Sequence, residues 1–157
     1  MTGIVQLVVM SSAFLMNETI PVKYTGMGKD ISPPLSWSGT PAGTKSIAII
    51  CDDPDAPMGT WVHWVLFNLP PDTTKLEEGI PTKPTLSNGA IQGINDFRKN
   101  GYGGPMPPPG KPHRYIFKVY ALDTKLSLDS KAKKADLEAA MEGHILARGE
   151  LVGIFKR

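Results

Sequence analysis

Short β-type runs separated by glycine and proline predict an antiparallel β protein, a sandwich or a barrel, closed by one helix near the C-terminus. Three observations carry this expectation. Turn signals recur through the first three-quarters of the chain, at Gly26–Gly28, Pro33-Pro34, Gly39–Gly43, Pro54–Gly59, Pro70-Pro71, Pro81–Pro84 and Asn88-Gly89. Between them lie apolar, aromatic and β-branched runs, of which IVQLVV, SIAIIC, TWVHWVLFNL and RYIFKVYAL are the strongest. No helical pattern separates these runs, which argues against parallel βαβ units.

Taken in order, the N-terminal run Ile4 to Val9 reads as a first strand. It is too short for a membrane span or a secretory h-region and has no basic flank. SIAIIC and TWVHWVLFNL read as the two arms of a hairpin around DDPDAP, and RYIFKVYAL as a buried strand. The helix is predicted over residues 132–148, where Leu137, Ala140, Met141, His144 and Ile145 form one apolar stripe. Asp129 or Ser130 is its expected cap and Gly149 its stop, with LVGIF as a last short strand. His144, on that stripe, reads as a core residue.

The 157 residues show no repeat, no low-complexity segment and no composition break, so 1–157 reads as one domain. A chain of this length buries roughly 70% of its unfolded surface and needs no staple. A net charge of +2 with scattered lysines and arginines excludes a nucleic-acid footprint. The cluster Lys131, Lys133 and Lys134 reads as the solvated start of the helix. Cys51 is the lone cysteine, which excludes an internal disulfide and points to a reducing, cytoplasmic setting. Its place in an apolar run makes it a small core residue rather than a reactive thiol.

Three polar clusters remain. DDPDAP places three carboxylates within four positions, at Asp52, Asp53 and Asp55, stiffened by Pro54 and Pro57. VHW places His63 at the start of the next strand, on the face of Trp61 and Val65 and away from Val62 and Trp64. The stretch GYGGPMPPPGKPHRY delivers His113 to a core strand behind a loop that is neither helix nor central strand. A hairpin brings Asp53 and His63 to one end of a sheet. An aspartate with two histidines suits a metal site, an acid/base set or an anion pocket.

No HxH or HExxH spacing supports the metal, and no GxSxG elbow or serine within the clusters supports a hydrolytic triad. The glycine pair Gly103-Gly104, with backbone N–H groups able to form a nest, favours the anion pocket. No cofactor is called for.

These motifs together resemble the phosphatidylethanolamine-binding protein family, and specifically its bacterial and archaeal branch, the Raf kinase inhibitor-like proteins. The matching text is ISPPLSWSGTPAGTKSIAIICDDPDAP, GTWVHWVLFNLP, QGINDFRKNGYGGPMPPPGKPHRYIFKVYAL and MEGHILARGELVG, nearly the whole chain. The resemblance implies two antiparallel β-sheets in Greek-key connection, with a C-terminal α-helix beside a small pocket. Carried over by motif, the ligand-binding residues are Asp53, His63, Gly104, Pro107, Pro108, His113 and Tyr115, with Gly104 offering its backbone N–H to an anion. Non-trans peptide bonds near the pocket are also implied. Many relatives carry cysteine where this chain has Gly26 and Met106, and glycine where it has Arg98.

The function implied is a non-enzymatic binding module with a preformed anion pocket. Its ligands would be phosphate- or carboxylate-bearing groups such as a phosphoethanolamine-like head group. Kinase-inhibitor-like regulation, through a kinase or protease partner, and a homodimer follow from the same resemblance, with neither nucleic acid nor stable membrane insertion. The alternative is a hydrolase of small esters or phosphoesters, with His63 or His113 as base and Asp53 as its orienter.

Overall fold

The two strongest β-type runs pair as an antiparallel hairpin, β5 (Ser46–Asp53) against β6 (Trp61–Leu69), at the centre of the protein. The computed structural model describes residues 3–157. β5 pairs on its other side with β9 (His113–Leu122), and β9 with β10 (Ile145–Phe155), both antiparallel. β8 (Ile91–Gln92) extends the sheet beyond β6. Along the outer edge of β10 run two short pieces, β1 (Val5–Gln6) and β3 (Glu18–Thr19), both parallel to it. The large sheet therefore has seven strands and is antiparallel except at that edge. A second, antiparallel sheet holds β2 (Val8–Met10), β4 (Leu35–Ser38) and β7 (Lys75–Leu76).

The single N-terminal strand expected over Ile4 to Val9 divides between the two sheets at Leu7. Leu7 is buried, and its N–H donates to the Arg148 carbonyl at 2.8 Å. This is a chain that switches sheets at a corner. Gly149 makes the corner fit, because a Cβ there would lie 2.2 Å from the Leu7 carbonyl oxygen. Gly149 is thus a close-approach residue in the middle of β10 rather than the stop of a helix.

Pleating sends the apolar residues of β5 and β9 to two separate cores. Ile47, Ile49, Cys51, Phe117 and Val119 pack under the small sheet with Leu35, Trp37 and Leu76. Ala48, Ile50, Val65, Phe67 and Tyr120 face the other way, toward Leu137 and Met141 of the helix. Burial pushes the Cys51 thiol well up, in keeping with an inert core residue.

The helix α1 spans Lys134–Met141, shorter at both ends than predicted. It begins at a capping arrangement in which Asp136 accepts the backbone N–H of Lys133 at 2.9 Å. Asp129 instead accepts from Lys131, one turn of chain earlier. Gly143, at φ 80°, ends the helix in the left-handed conformation that favours glycine. His144 consequently lies outside the helix and is half-exposed, with Nδ1 2.7 Å from Asp123 Oδ1. Among the described residues no helix is long and apolar enough to cross a membrane.

Candidate ligand-binding site

The three aspartates of DDPDAP go to three different places. Asp52, pointing to the helix side of the sheet, is buried and accepts from Lys118 Nζ at 3.0 Å and Lys134 Nζ at 2.6 Å. Lys134 is therefore not a solvated charge, since it ties the first turn of α1 to the end of β5. Asp53, one residue on, points to the opposite face, where its Oδ2 lies 2.7 Å from His113 Nδ1. Its Oδ1 accepts the N–H of Asp55 at 2.8 Å, an Asx turn that shapes the loop. Asp55 takes Arg114 in a two-pronged pair, Nε and Nη2 each at 2.9 Å, and also accepts the Arg114 backbone N–H. The guanidinium holds the Asp55 carboxyl down at about 2. This pair locks the DDPDAP loop to the start of β9 and so fixes Asp53 against His113.

His63 reaches the same face through a bulge. Cys51 pairs with Trp64 but Asp52 pairs with Val62, which leaves His63 as an extra residue. The alternation is reset there, and Val65 faces the helix-side core while His63 and Trp64 both face the other way. The expected sharing of a face by His63 and Val65 is corrected accordingly. Trp61, as expected, does share the face of His63 and lines the same cavity.

His63 Nδ1 lies 2.6 Å from the Gly103 carbonyl oxygen, and its ring stands edge-on to Phe97 and Tyr115 with centroids 5.4 and 5.2 Å away. Burial pushes its pKa below the ordinary value, against the pull of the Gly103 carbonyl and the carboxylates of Asp53, Asp52 and Asp96.

The result is a cavity of about 180 Å³ at the end of the large sheet, on the face opposite α1. Asp53, His63, His113 and Tyr115 supply its polar groups, and Pro107, Pro108 and Met106 its apolar wall. The structure thus brings together six of the seven residues singled out in the sequence. The Tyr115 hydroxyl is fully buried beside the Asp53 carboxylate, which is its nearest acceptor but does not meet good hydrogen-bond geometry. Burial, and then the Asp53 carboxylate nearby, push its pKa far above the ordinary value, so it stays protonated.

Gly104 is the seventh residue, and its expected role is corrected. Its N–H donates to Asp30 Oδ1 at 2.6 Å, and it lines a neighbouring cavity of about 760 Å³ that shares Phe97 and Met106 with the smaller one. A Cβ on Gly104 would lie 2.5 Å from Asp30 Oδ1 and 2.6 Å from the Tyr24 carbonyl oxygen. The N–H of Gly103 is likewise taken, by the His63 carbonyl at 2.9 Å, and its missing Cβ makes room for the Phe97 ring. Both glycines serve close approach of other chain segments instead of an anion nest.

The two departures noted at Gly26 and Met106 are one feature in space, since a Cβ on Gly26 would lie 3.0 Å from Met106 Sδ. Arg98 is exposed, at φ 64°, and lines neither cavity. No peptide bond among the described residues is cis, so the non-trans bonds implied by resemblance are not found. Nor do three or more His, Cys, Asp or Glu side chains converge among them as a metal-binding set.

Sequence reasoning named Trp61 only as a neighbour of His63 and passed over Phe97 and Asn95. Asn95 organises the turn that carries Phe97, accepting the N–H groups of Phe97 and Lys99 while its amide donates to the Gly101 carbonyl. The NDF tripeptide was the available signal, because asparagine followed by a backbone N–H two residues on is an Asx turn.

Comparison with known proteins agrees with this architecture. The profile of the phosphatidylethanolamine-binding protein family matches residues 10–156. A UPF0098 protein of Methanothermobacter thermautotrophicus is 53% identical over 145 residues, covering 92% of this chain and 95% of its own. A UPF0098 protein of Aquifex aeolicus is 50% identical over 151 residues, covering 95% and 88%. Among solved structures, the Chlamydia trachomatis homolog of phosphatidylethanolamine-binding protein superposes with a TM-score of 0.88 at 40% identity, covering 97% of this chain and 98% of that one. YbcL of E. coli, described as a new member of the mammalian family, gives 0.88 at 36% identity, covering 97% and 99%. The chain belongs to the phosphatidylethanolamine-binding protein family.

Proposed function

We propose that the cavity between Asp53, His63, His113 and Tyr115 binds a small phosphate- or carboxylate-bearing group, in the manner of a phosphoethanolamine-like head group. The convergence of two imidazoles and an aspartate on one cavity carries this reading. Each imidazole has its Nδ1 engaged, His63 with the Gly103 carbonyl and His113 with Asp53, and neither Nε2 has a partner among the described residues. A hydrogen bond to a charged group is worth about 1.5–3 kcal/mol, so these atoms suit an oxyanion. The rigid surroundings hold that geometry ready. The Asp55–Arg114 clamp fixes one wall and the proline-rich loop fixes another.

The same lining supports binding rather than turnover. It contains no serine, threonine, cysteine or lysine to serve as an acyl-transfer nucleophile. A regulatory role toward a kinase or protease, and a homodimer, rest on the family resemblance alone.

Isothermal titration of inorganic phosphate and phosphoethanolamine into the wild type, Asp53→Asn and His113→Ala tests the proposal. Each substitution is expected to weaken binding by about tenfold or more, about 1.4 kcal/mol. Equal binding by all three proteins overturns it.

A further inference from the structure

The cavity at the histidines, about 180 Å³, is smaller than the roughly 300–1,000 Å³ of ordinary small-molecule sites. It takes one small group. The neighbouring cavity, about 760 Å³, falls within that range, and the two share Phe97 and Met106 as a common wall. A ligand anchored in the first therefore has a path into the second.

Most polar side chains of the second cavity are already committed to the protein. Asn95 accepts the Phe97 N–H and donates to the Gly101 carbonyl, and Asn100 donates to the Gln92 and Ser130 carbonyls at 2.8 and 2.9 Å. The Tyr102 hydroxyl donates to the Tyr24 carbonyl at 2.6 Å, and Asp30 Oδ1 accepts the Gly104 N–H. Lys29 and Lys99 differ from these. Both line the cavity, and neither ammonium group has a carboxylate partner among the described residues. Lys23 and Tyr24 take the two Glu78 oxygens at 2.7 Å each, so the more distant Lys29 keeps its ammonium for another partner. The cavity thus offers two cations against the single carboxylate of Asp30.

The backbone that carries these lysines is fixed. The N–H of Lys99 donates to Asn95 Oδ1 at 3.2 Å, and its carbonyl accepts the Asn95 N–H at 2.9 Å. The same turn carries Phe97, so the shared wall and one cation are held as a unit. Lys29 precedes Asp30, which is tied to Gly104. Between the two cavities, a Cβ on Gly26 would lie 3.0 Å from Met106 Sδ; without one, the unbranched methionine side chain has space to adapt to what crosses it.

We propose that the ligand carries two acid groups, one bound among Asp53, His63 and His113 and the other between Lys29 and Lys99, joined by a short apolar segment that crosses Phe97 and Met106. Its chemical class is a small organic acid with a second carboxylate or phosphate. This inference rests on the reading of the smaller cavity as an anion site and adds what the rest of the ligand carries.

The test is calorimetric titration of ω-carboxyalkyl phosphates of increasing chain length, each against the plain alkyl phosphate of the same length. The proteins are the wild type and the Lys29→Gln/Lys99→Gln double variant, with inorganic phosphate as the reference. Both lysines are exposed, so the double variant keeps its fold. At the fitting length the carboxylate is expected to tighten wild-type binding by about threefold to tenfold, the worth of two exposed charge pairs. That gain should vanish in the double variant and shrink as salt rises, while inorganic phosphate binds both proteins alike. Three results overturn the two-ended ligand and leave the first anion site standing. They are no gain at any length, a gain that survives in the double variant, and an equal loss for inorganic phosphate and the carboxylated esters. Failure of inorganic phosphate and of every ester to bind the wild type overturns both readings.

Discussion

Replacing Tyr115 by phenylalanine should raise stability and leave ligand binding in place. The hydroxyl is sealed from solvent and has no partner in good hydrogen-bond geometry among the described residues, the Asp53 carboxylate being its nearest acceptor. Its ring is held independently, edge-on to His63 at 5.2 Å and packed in the core beneath the small sheet. Tyr115→Phe keeps those contacts and removes an unsatisfied polar atom, which is worth about 1–3 kcal/mol, offset by the small void left behind. The net expectation is a gain of about 0.5–2 kcal/mol, and for a domain of this size each kcal/mol raises Tm by about 2–4 °C.

Phosphate affinity should hold, because the hydroxyl has no surface open to the cavity in which the anion is proposed to sit. Thermal and urea melts with and without phosphate read both effects at once, because a ligand stabilises by RT ln(1 + [L]/Kd). The variant should melt higher alone and gain as much from phosphate as the wild type does. A variant that melts lower alone would show that the hydroxyl is satisfied by the Asp53 carboxylate beside it, and would refute the reasoning.

Four further outcomes are expected. Asp52→Ala leaves Lys118 and Lys134 without their carboxylate and should cost about 1–3 kcal/mol, moderated because both lysines retain some access to water; hydrogen exchange in α1 should quicken while phosphate binding holds. Gly104→Ala drives a methyl group into the Tyr24 carbonyl and the Asp30 carboxylate and should destabilise by about 1–3 kcal/mol or prevent soluble expression, measured by urea midpoint. Arg98→Gly removes a side chain from a left-handed position and should raise the urea midpoint, by up to about 1–2 kcal/mol, with no change in binding. Because burial lowers the His63 pKa, the unfolded chain takes up this proton first. The stability this group contributes is full above about pH 6.5 and falls as pH drops through that value, so the urea midpoint should decrease from pH 7.5 to 5.5, less steeply in His63→Gln.

The parts of this fold that were legible in the sequence are those written locally. Strand runs over SIAIIC, TWVHWVLFNL and RYIFKVYAL show themselves through apolar and β-branched residues, and the hairpin through the turn residues between the first two. What was not legible depends on partners far along the chain. The bulge at His63 exists because β6 must match β5 on one side while Asp53 and His113 close the cavity, and no period within VHWV announces it. The helix was over-extended because His144 and Ile145 continue the spacing of Leu137 and Met141, while Gly143, the actual stop, looked like a tolerable interruption. Gly103 and Gly104 were misassigned for a related reason. A glycine pair reads the same whether it frees N–H groups for an anion or makes room for a phenylalanine ring and a neighbouring backbone.

DDPDAP illustrates how much one pleat decides. Asp52 and Asp53 are chemically identical and adjacent, yet the alternation of β5 sends one to a helix-anchoring pair of lysines and the other to a histidine at the cavity. Their near-equal burial, 1% and 3%, conceals opposite duties. A lysine pair can neutralise Asp52 completely and leaves it nothing to offer a ligand. Asp53 has one imidazole and the Asp55 N–H as partners and lines the cavity, so its polarity is open to whatever enters. Substitutions one residue apart should therefore separate stability from recognition, with Asp52 acting through α1 and Asp53 through the orientation of His113.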